Sequence, residues 1–306
     1  MFKKEKDTYY TGIVHEQLKF KSPAYRLNAI FKHYGYNNKD YQLMIYKYER
    51  NLELLKKQLK ENPNDIYTLF QITQSYSMMK KDIEALDTIK KAYWLCKEEK
   101  DSLNKYLYIY HQYVKELLKI NDFNEIIRVC EEVIKEKKGY LDFYYLLGAS
   151  YDYLGMSDKA LIHYNNYLNV RDNYEQSEEY KTLSITNFSY ARRDEVISNI
   201  IKIQFNNKNF REVVNLFNEI SEEQIKNSLL SAYITSCIMI GEKNQLVKYL
   251  SNKDIDDQLI ETIITSIKQI KILNDNKFEE IDYLLNIDKK VKNVINIIFD
   301  FKKIVA

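Results

Sequence analysis

Three stretches of this chain set aromatic side chains among amides and charges at helical spacing. They are Tyr67, Phe70, Gln74 and Met78; then Tyr108, His111 and Lys115; then Asp142, Tyr145, Asp152 and Tyr153. Separations of three, four and seven residues put side chains on one face of a helix. The chemistry open to such a set is non-covalent. Rings stack and bury apolar surface, while amides and single charges select what lies against them. That chemistry suits an extended peptide or a partner helix. Bond-breaking chemistry has little to draw on. No Gly-x-Ser-x-Gly, no phosphate-binding Gly-x-x-x-x-Gly-Lys and no Gly-x-Gly-x-x-Gly occurs. His33, His111 and His163 share no metal-ligand spacing.

The elements that must position these faces are clearest at residues 144–168. Tyr144, Leu147, Gly148 and Tyr151 mark a first helix, and Gly155 marks a turn. Ala160, Tyr164 and Leu168 mark a second helix that returns against the first. One such hairpin cannot bury its own apolar face, so an array is expected. The residues that open successive second helices are Ala85, Ile126, Ala160, Val213, Leu246 and Ile281, at intervals of 41, 34, 53, 33 and 35 residues. Three of these intervals sit within one residue of a roughly 34-residue period. The pattern resembles the tetratricopeptide (TPR) repeat. The resemblance implies an all-α, TPR-like α-solenoid of antiparallel helix hairpins with a short irregular N-terminal segment. First helices line the concave face of such an array. This assigns the eleven residues named above to a peptide-binding groove. The groove lacks the regular Lys/Asn set with which chaperone-binding TPR proteins clamp a C-terminal carboxylate.

The organisation that follows has four parts. Residues 1–39 form an N-terminal segment, with a brief extended stretch near Thr8–Phe20. Residues 40–168 hold the repeats. They begin with a long helix to about Glu61 that carries Ile45, Tyr48, Leu52, Leu55 and Leu59 on one face. Residues 169–190 are a polar insertion, read as a loop or a displaced solvated helix. Residues 191–306 continue as degenerate repeats with a closing helix near 291–304. The 41-residue interval is read as a longer second helix near residues 96–105, and the 53-residue interval as the insertion. Asp65 is placed to cap a helix just after Pro63.

Composition fits this reading and narrows the function. Only 6 Gly and 2 Pro occur in 306 residues, while 45% are hydrophobic and 29% charged, a mixture suited to amphipathic helices. A net charge of +2 gives no basic stripe, so nucleic acid is not an expected partner. No 18-residue apolar run predicts a membrane span. Three distant cysteines, Cys96, Cys130 and Cys237, make no disulfide framework and point to a reducing, cytoplasmic setting. The N-terminus carries no apolar signal core. Most of the 28 Tyr are expected to pack helix against helix, with hydroxyls reaching the rim.

The first 63 residues carry a second resemblance. Phe2-Lys3, Gly12-Ile-Val-His-Glu-Gln, His33-Tyr-Gly-Tyr, Arg50-Asn-Leu-Glu-Leu-Leu and Glu61-Asn-Pro follow in order. This order resembles the downstream end of the catalytic domain in TPR-bearing bacterial family 2 glycosyltransferases. The resemblance implies that His15, beside Glu16, helps hold a divalent metal on the sugar-nucleotide diphosphate. The catalytic nucleotide-sugar domain and its upstream Asp-x-Asp motif have no counterpart here. Asp254-Ile-Asp256-Asp257 matches the letters but precedes a helix, where carboxylates cap. The chain alone is therefore expected to be non-catalytic and to bind no cofactor, a metal entering only with a separate glycosyltransferase domain. Three functions remain open. The first is a protein-binding scaffold. The second is one part of a split transferase acting on a protein or glycan acceptor. The third is a TPR peptide-sensing regulator.

Overall fold

The structure, a computed structural model, describes residues 7–11, 17–19, 41–182, 185–253 and 256–274. Two short strands, β1 (Tyr9–Thr11) and β2 (Gln17–Lys19), pair antiparallel with Tyr9 opposite Lys19. Everything else regular is helical. The helices are α1 (Tyr41–Glu61), α2 (Ile66–Met78), α3 (Asp82–Lys97), α4 (Ser102–Lys119), α5 (Phe123–Glu136), α6 (Leu141–Tyr153) and α7 (Ser157–Asp172). They are followed by α8 (Glu178–Thr182), α9 (Arg193–Asn206), α10 (Phe210–Glu219), α11 (Glu223–Ile240), α12 (Lys243–Leu250) and α13 (Asp257–Leu273). The fold is all-α and built of TPR-like antiparallel hairpins. Two compact units divide it: Met1–Ser150 with Gln176–Thr186, and Tyr151–Glu175 with Asn187–Ala306.

Among the described residues one turn recurs five times, and it sets the hairpins. Lys80, Asn121, Gly155, Lys208 and Gly241 each adopt a left-handed conformation, with φ of 57°, 58°, 73°, 60° and 79°. The amide after each one donates back to the first helix: Lys81 to Tyr76, Asp122 to Leu117, Met156 to Tyr151, Asn209 to Gln204 and Glu242 to Cys237, at 2.8–3.1 Å. The left-handed residue donates to the carbonyl three before it in every case. Together these bonds form a Schellman closure, which satisfies helix-end carbonyls and reverses the chain. Five residues beyond each left-handed position stands Ala85, Ile126, Ala160, Val213 or Leu246. Each is the fourth residue of its helix and fully buried. The repeat is thus a coupled pair: a left-handed residue that turns the chain and a buried side chain that packs the returning helix. Ile281 lies outside the described residues, as does the closing helix expected near 291–304.

In the first unit, α1 packs on α2 through Leu52, Leu55, Ile72 and Met79, with Ile45, Tyr48, Leu59 and Tyr76 around them. Asp65 caps α2 as its sequence position suggests, accepting from the amides of Tyr67 (3.1 Å) and Thr68 (3.4 Å). Asp122 caps α5 in the same way. The long interval between the first two repeats has its expected origin only in part. The second helix α3 has 16 residues against 14 in α5, and ends at Lys97. Most of the added length is in α4, which begins at Ser102 behind a left-handed Asp101 and has 18 residues against 13 in α6. Its helical path breaks at Tyr106 (φ −126°, ψ 24°). The insertion also starts later than expected, because α7 runs on to Asp172. A 3₁₀ turn (Tyr174–Gln176) and the short α8 make up its regular part.

In the second unit, Phe217 stacks on Tyr233 at 4.0 Å between α10 and α11, and Tyr249 of α12 meets both rings edge-on. Asp194 of α9, nearly buried, accepts from the amides of Ser221 (2.6 Å) and Glu222 (2.7 Å) ahead of α11. A carboxylate there meets the positive end of the helix. Asp256 caps α13 through the amide of Leu259 at 2.8 Å. This agrees with the capping role read for the four residues 254–257, of which Asp254 and Ile255 are outside the described residues.

Two outcomes follow from this packing. Gly155→Val places a β-branched residue in the left-handed turn and lowers the urea midpoint by the equivalent of roughly 1–2 kcal/mol. Lys208→Gly at the matching turn leaves the midpoint unchanged or raises it. Separately, burial pushes the phenols of Tyr93, Tyr113 and Tyr233 upward, and that of Tyr110 to about 12. Unfolded tyrosine ionises near 10. Above that pH the unfolded chain therefore loses protons that the folded chain keeps, and stability falls as pH rises. Denaturation midpoints should hold steady from neutral to mildly alkaline pH and drop between about pH 10 and 12. Tyr110→Phe should make the drop shallower.

Candidate functional site

The site builds up from the first helices of two successive repeats in the first unit, α2 and α4. The Asp65 cap is reinforced by the Thr68 hydroxyl, which donates to Asp65 at 2.7 Å, and by Gln58 of α1, which donates to Thr68 at 2.8 Å. These bonds fix the first turn of α2 and leave Tyr67 about one-third exposed. Phe70 meets Tyr108 of α4 edge-on at 4.8 Å, with Tyr67 on its other side at 6.4 Å. Tyr106 adds a further ring at 6.4 Å from Tyr108. Burial holds the Tyr108 phenol above its ordinary range. This is the aromatic end of the face.

Farther along both helices the lining turns polar. Tyr48, Gln74, Ser75, Ser77, Met78, Gln112 and Lys115 line a cleft of about 290 Å³. Met78 is half exposed, and Gln74 is exposed. Below the cleft, Glu116 is almost fully buried. It accepts from Gln112 Nε2 at 2.6 Å and pairs with Lys119 at 2.7 Å. Lys119 also donates to Ser77 (2.6 Å) and Asp82 (3.1 Å). Burial works against the Lys119 charge, but the bonds to Glu116 and Asp82 outweigh it and raise its pKa. One network thus ties α4 to the end of α2 and the start of α3.

The structure brings together six of the eleven predicted groove residues: Tyr67, Phe70, Gln74, Met78, Tyr108 and Lys115. Three others lie elsewhere in the first unit. His111 Nε2 and Asp142 Oδ2 are 2.6 Å apart and buried, with the His111 ring edge-on to Phe143 at 6.0 Å. Tyr145 is also buried. These three are interior rather than groove-lining residues. The reason is that residues 141–148 of α6 are all buried, with Phe143, Leu146 and Leu147 fully so along with Asp142. Asp152, half-buried, and Tyr153, exposed, belong to the second unit. Sequence reasoning missed Tyr48, Gln112, Glu116 and Lys119. The spacing of Gln112 and Glu116, four apart on α4, was a readable signal of their bond. The burial of Glu116 had none.

A second cleft, of about 680 Å³, lies on the second helices α3 and α5. Trp94 is half exposed there, under the Arg128 guanidinium at 5.8 Å. Arg128 in turn holds the Glu125 carboxylate below its usual range. No nucleophile emerges from the cysteines. All three are buried, and burial pushes Cys96 up to about 11 and Cys237 up to about 12. Among the described residues, no group of three or more His, Cys, Asp or Glu could hold a metal. No helix among them is long and apolar enough to cross a membrane. His15 and His33 lie outside the described residues.

No family model and no curated protein matches the chain. Solved structures similar to it include MamA, with 19% identity and a TM-score of 0.44, covering 62% of this chain and 93% of that one. BtubC from P. vanneervenii is 13% identical with a TM-score of 0.42, covering 85% and 92%. The C-terminal part of a TPR repeat-containing protein from Cytophaga hutchinsonii is 15% identical with a TM-score of 0.38, covering 85% and 98%.

The Glu116 network makes a stability test. Lys119→Met leaves the buried carboxylate without its ammonium. It should cost roughly 2 kcal/mol by urea denaturation, less than a fully buried pair because Lys119 is one-third exposed. Adding Glu116→Leu to Lys119→Met should recover most of the loss.

Proposed function

We propose that the chain is a protein-binding helical-repeat scaffold that holds an extended peptide on the α2/α4 face. One observation carries this reading: an aromatic strip, Tyr67, Phe70 and Tyr108, runs into a cleft walled by Met78, Gln74 and Lys115. Rings partly open to solvent still have apolar area to bury, and Met adapts its shape to varied side chains. The rigid helices beneath hold that surface in its bound geometry, which limits the entropy lost on binding.

A second reading rests on the motif order in residues 1–63. It makes the chain the C-terminal TPR part of a family 2 glycosyltransferase-like protein, not catalytic alone and completed by a separate catalytic domain. His15 would then sit near a divalent metal held mainly by that partner. The motif residues 12–16 and 20–40 lie outside the described residues, so no catalytic step is derived from them. Metal-dependent hydrolysis of a nucleotide-sugar by the mixed chains, lost with His15→Ala, would favour it.

The scaffold reading is tested by panning a random peptide display library on the full chain. Enriched peptides should bind at least tenfold more weakly to Phe70→Ala/Tyr108→Ala, the loss of about 1.4 kcal/mol expected from removing aromatic anchors. Binding should be unchanged by Trp94→Ala on the α3/α5 cleft. Peptides indifferent to the double variant would overturn it.

A further inference from the structure

Resting on the scaffold reading, the chemistry of the face narrows what it holds. We infer that the α2/α4 face selects an extended peptide in which an apolar or aromatic side chain and a carboxylate side chain stand about three residues apart. Lys115 is the one charged residue among the described residues that line the cleft. Its ammonium makes no ion pair or hydrogen bond among the described residues. The carboxylates of Glu116 and Asp82 are both held by Lys119. Gln74, opposite on α2, is exposed, with no hydrogen bond among the described residues. Among the described residues, the cleft therefore presents one uncompensated positive charge and one free amide, with no carboxylate in its lining to repel an acidic ligand.

The spacing follows from the helix. Tyr108 and Lys115 are seven residues apart on α4, and at about 1.5 Å per residue their backbone positions are separated by roughly 10 Å along the helix. An extended peptide advances about 3.3 Å per residue, so three residues span that distance. Side chains three apart in an extended strand point to opposite faces in a flat pleat. The peptide is therefore held with a twist, or in a polyproline-type conformation, whose three-residue turn returns both side chains to one side at about 3.1 Å per residue. A neutral face with two paired charges would impose no such demand. Here the single ammonium at the end of the aromatic strip does.

The experiment measures fluorescence anisotropy of labelled peptides titrated with the full chain. The probes are end-capped, so that no terminal carboxylate is present. They carry Phe-Ser-Ser-Glu, the reversed Glu-Ser-Ser-Phe, versions with Gln or Lys for Glu, and versions with one or five intervening residues. The expected result is tightest binding to one of the two three-residue spacings. Replacing Glu by Gln should weaken it about fivefold, and Lys should weaken it further. Lys115→Glu should invert the order, so that the Lys peptide binds better than the Glu peptide. Trp94→Ala should change nothing. Equal binding of the Glu, Gln and Lys peptides, or indifference to Lys115→Glu, would overturn the charge and spacing assignment. If Phe70→Ala still abolished binding in that case, the scaffold reading would stand. Absence of binding by every probe would overturn the inference as well, and the display selection would then decide the scaffold reading alone.

Discussion

The structure depends on a small closure repeated along the chain. A residue in the left-handed region ends one helix, and the next amide bonds back across the turn. Five residues after the first, a fully buried side chain seats the returning helix. Neither half suffices. A turn without the buried side chain would leave the second helix to fray, since short helices hold mainly by packing an apolar face. A buried side chain without the turn could not reach its partner. Because the two are locked at a fixed offset, every residue of a hairpin has a determined facing. Only two of the five turns use glycine. Lys80, Asn121 and Lys208 hold the same conformation at a cost that the surrounding packing offsets.

That fixed facing creates the α2/α4 surface. Tyr67, Phe70 and Tyr108 come together because both first helices end at closures in the same register, with Tyr67 and Tyr108 at matching positions before Lys80 and Asn121. The same register brings Gln112 and Glu116 under the end of α2, where Lys119 completes a network with Ser77 and Asp82. Tyrosine serves two ends in this scaffold. Tyr93, Tyr110 and Tyr113 form a buried cluster in the first unit, Tyr93 meeting Tyr110 edge-on and Tyr113 at a tilt. Their rings fill space between helices while hydroxyls reach Glu132, Ser102 and Glu125 at the margin. The tyrosines of the α2/α4 face lie one helix side away and remain partly open. One residue type thus supplies both the mortar and the recognition surface, because its body is apolar and its tip polar.

Much of this fold was legible before any coordinates. Ala85, Ile126, Ala160, Val213 and Leu246 could be picked from the chain because burial at a helix–helix contact restricts that position to small or aliphatic side chains. Asp65 was legible because an aspartate after Asn-Pro-Asn has few other uses. The turn residue was read only at Gly155. Lysine in a left-handed turn has no local signature, so Lys80 and Lys208 could not be read. The break at Tyr106 was hidden for a related reason, since nothing in Lys105-Tyr-Leu-Tyr forbids a continuous helix. The interior placement of His111 and Asp142 escaped a face-by-face reading. Helical periodicity assigns polar residues to solvent unless a partner is known, and theirs lies 31 positions away.

Amide hydrogen exchange on the full chain tests the closure most directly. The backbone N–H groups of Lys81, Asp122, Met156, Asn209 and Glu242 should exchange as slowly as those in the interiors of the helices they close. Free exchange of these five amides, with the helices on either side still protected, would contradict the account.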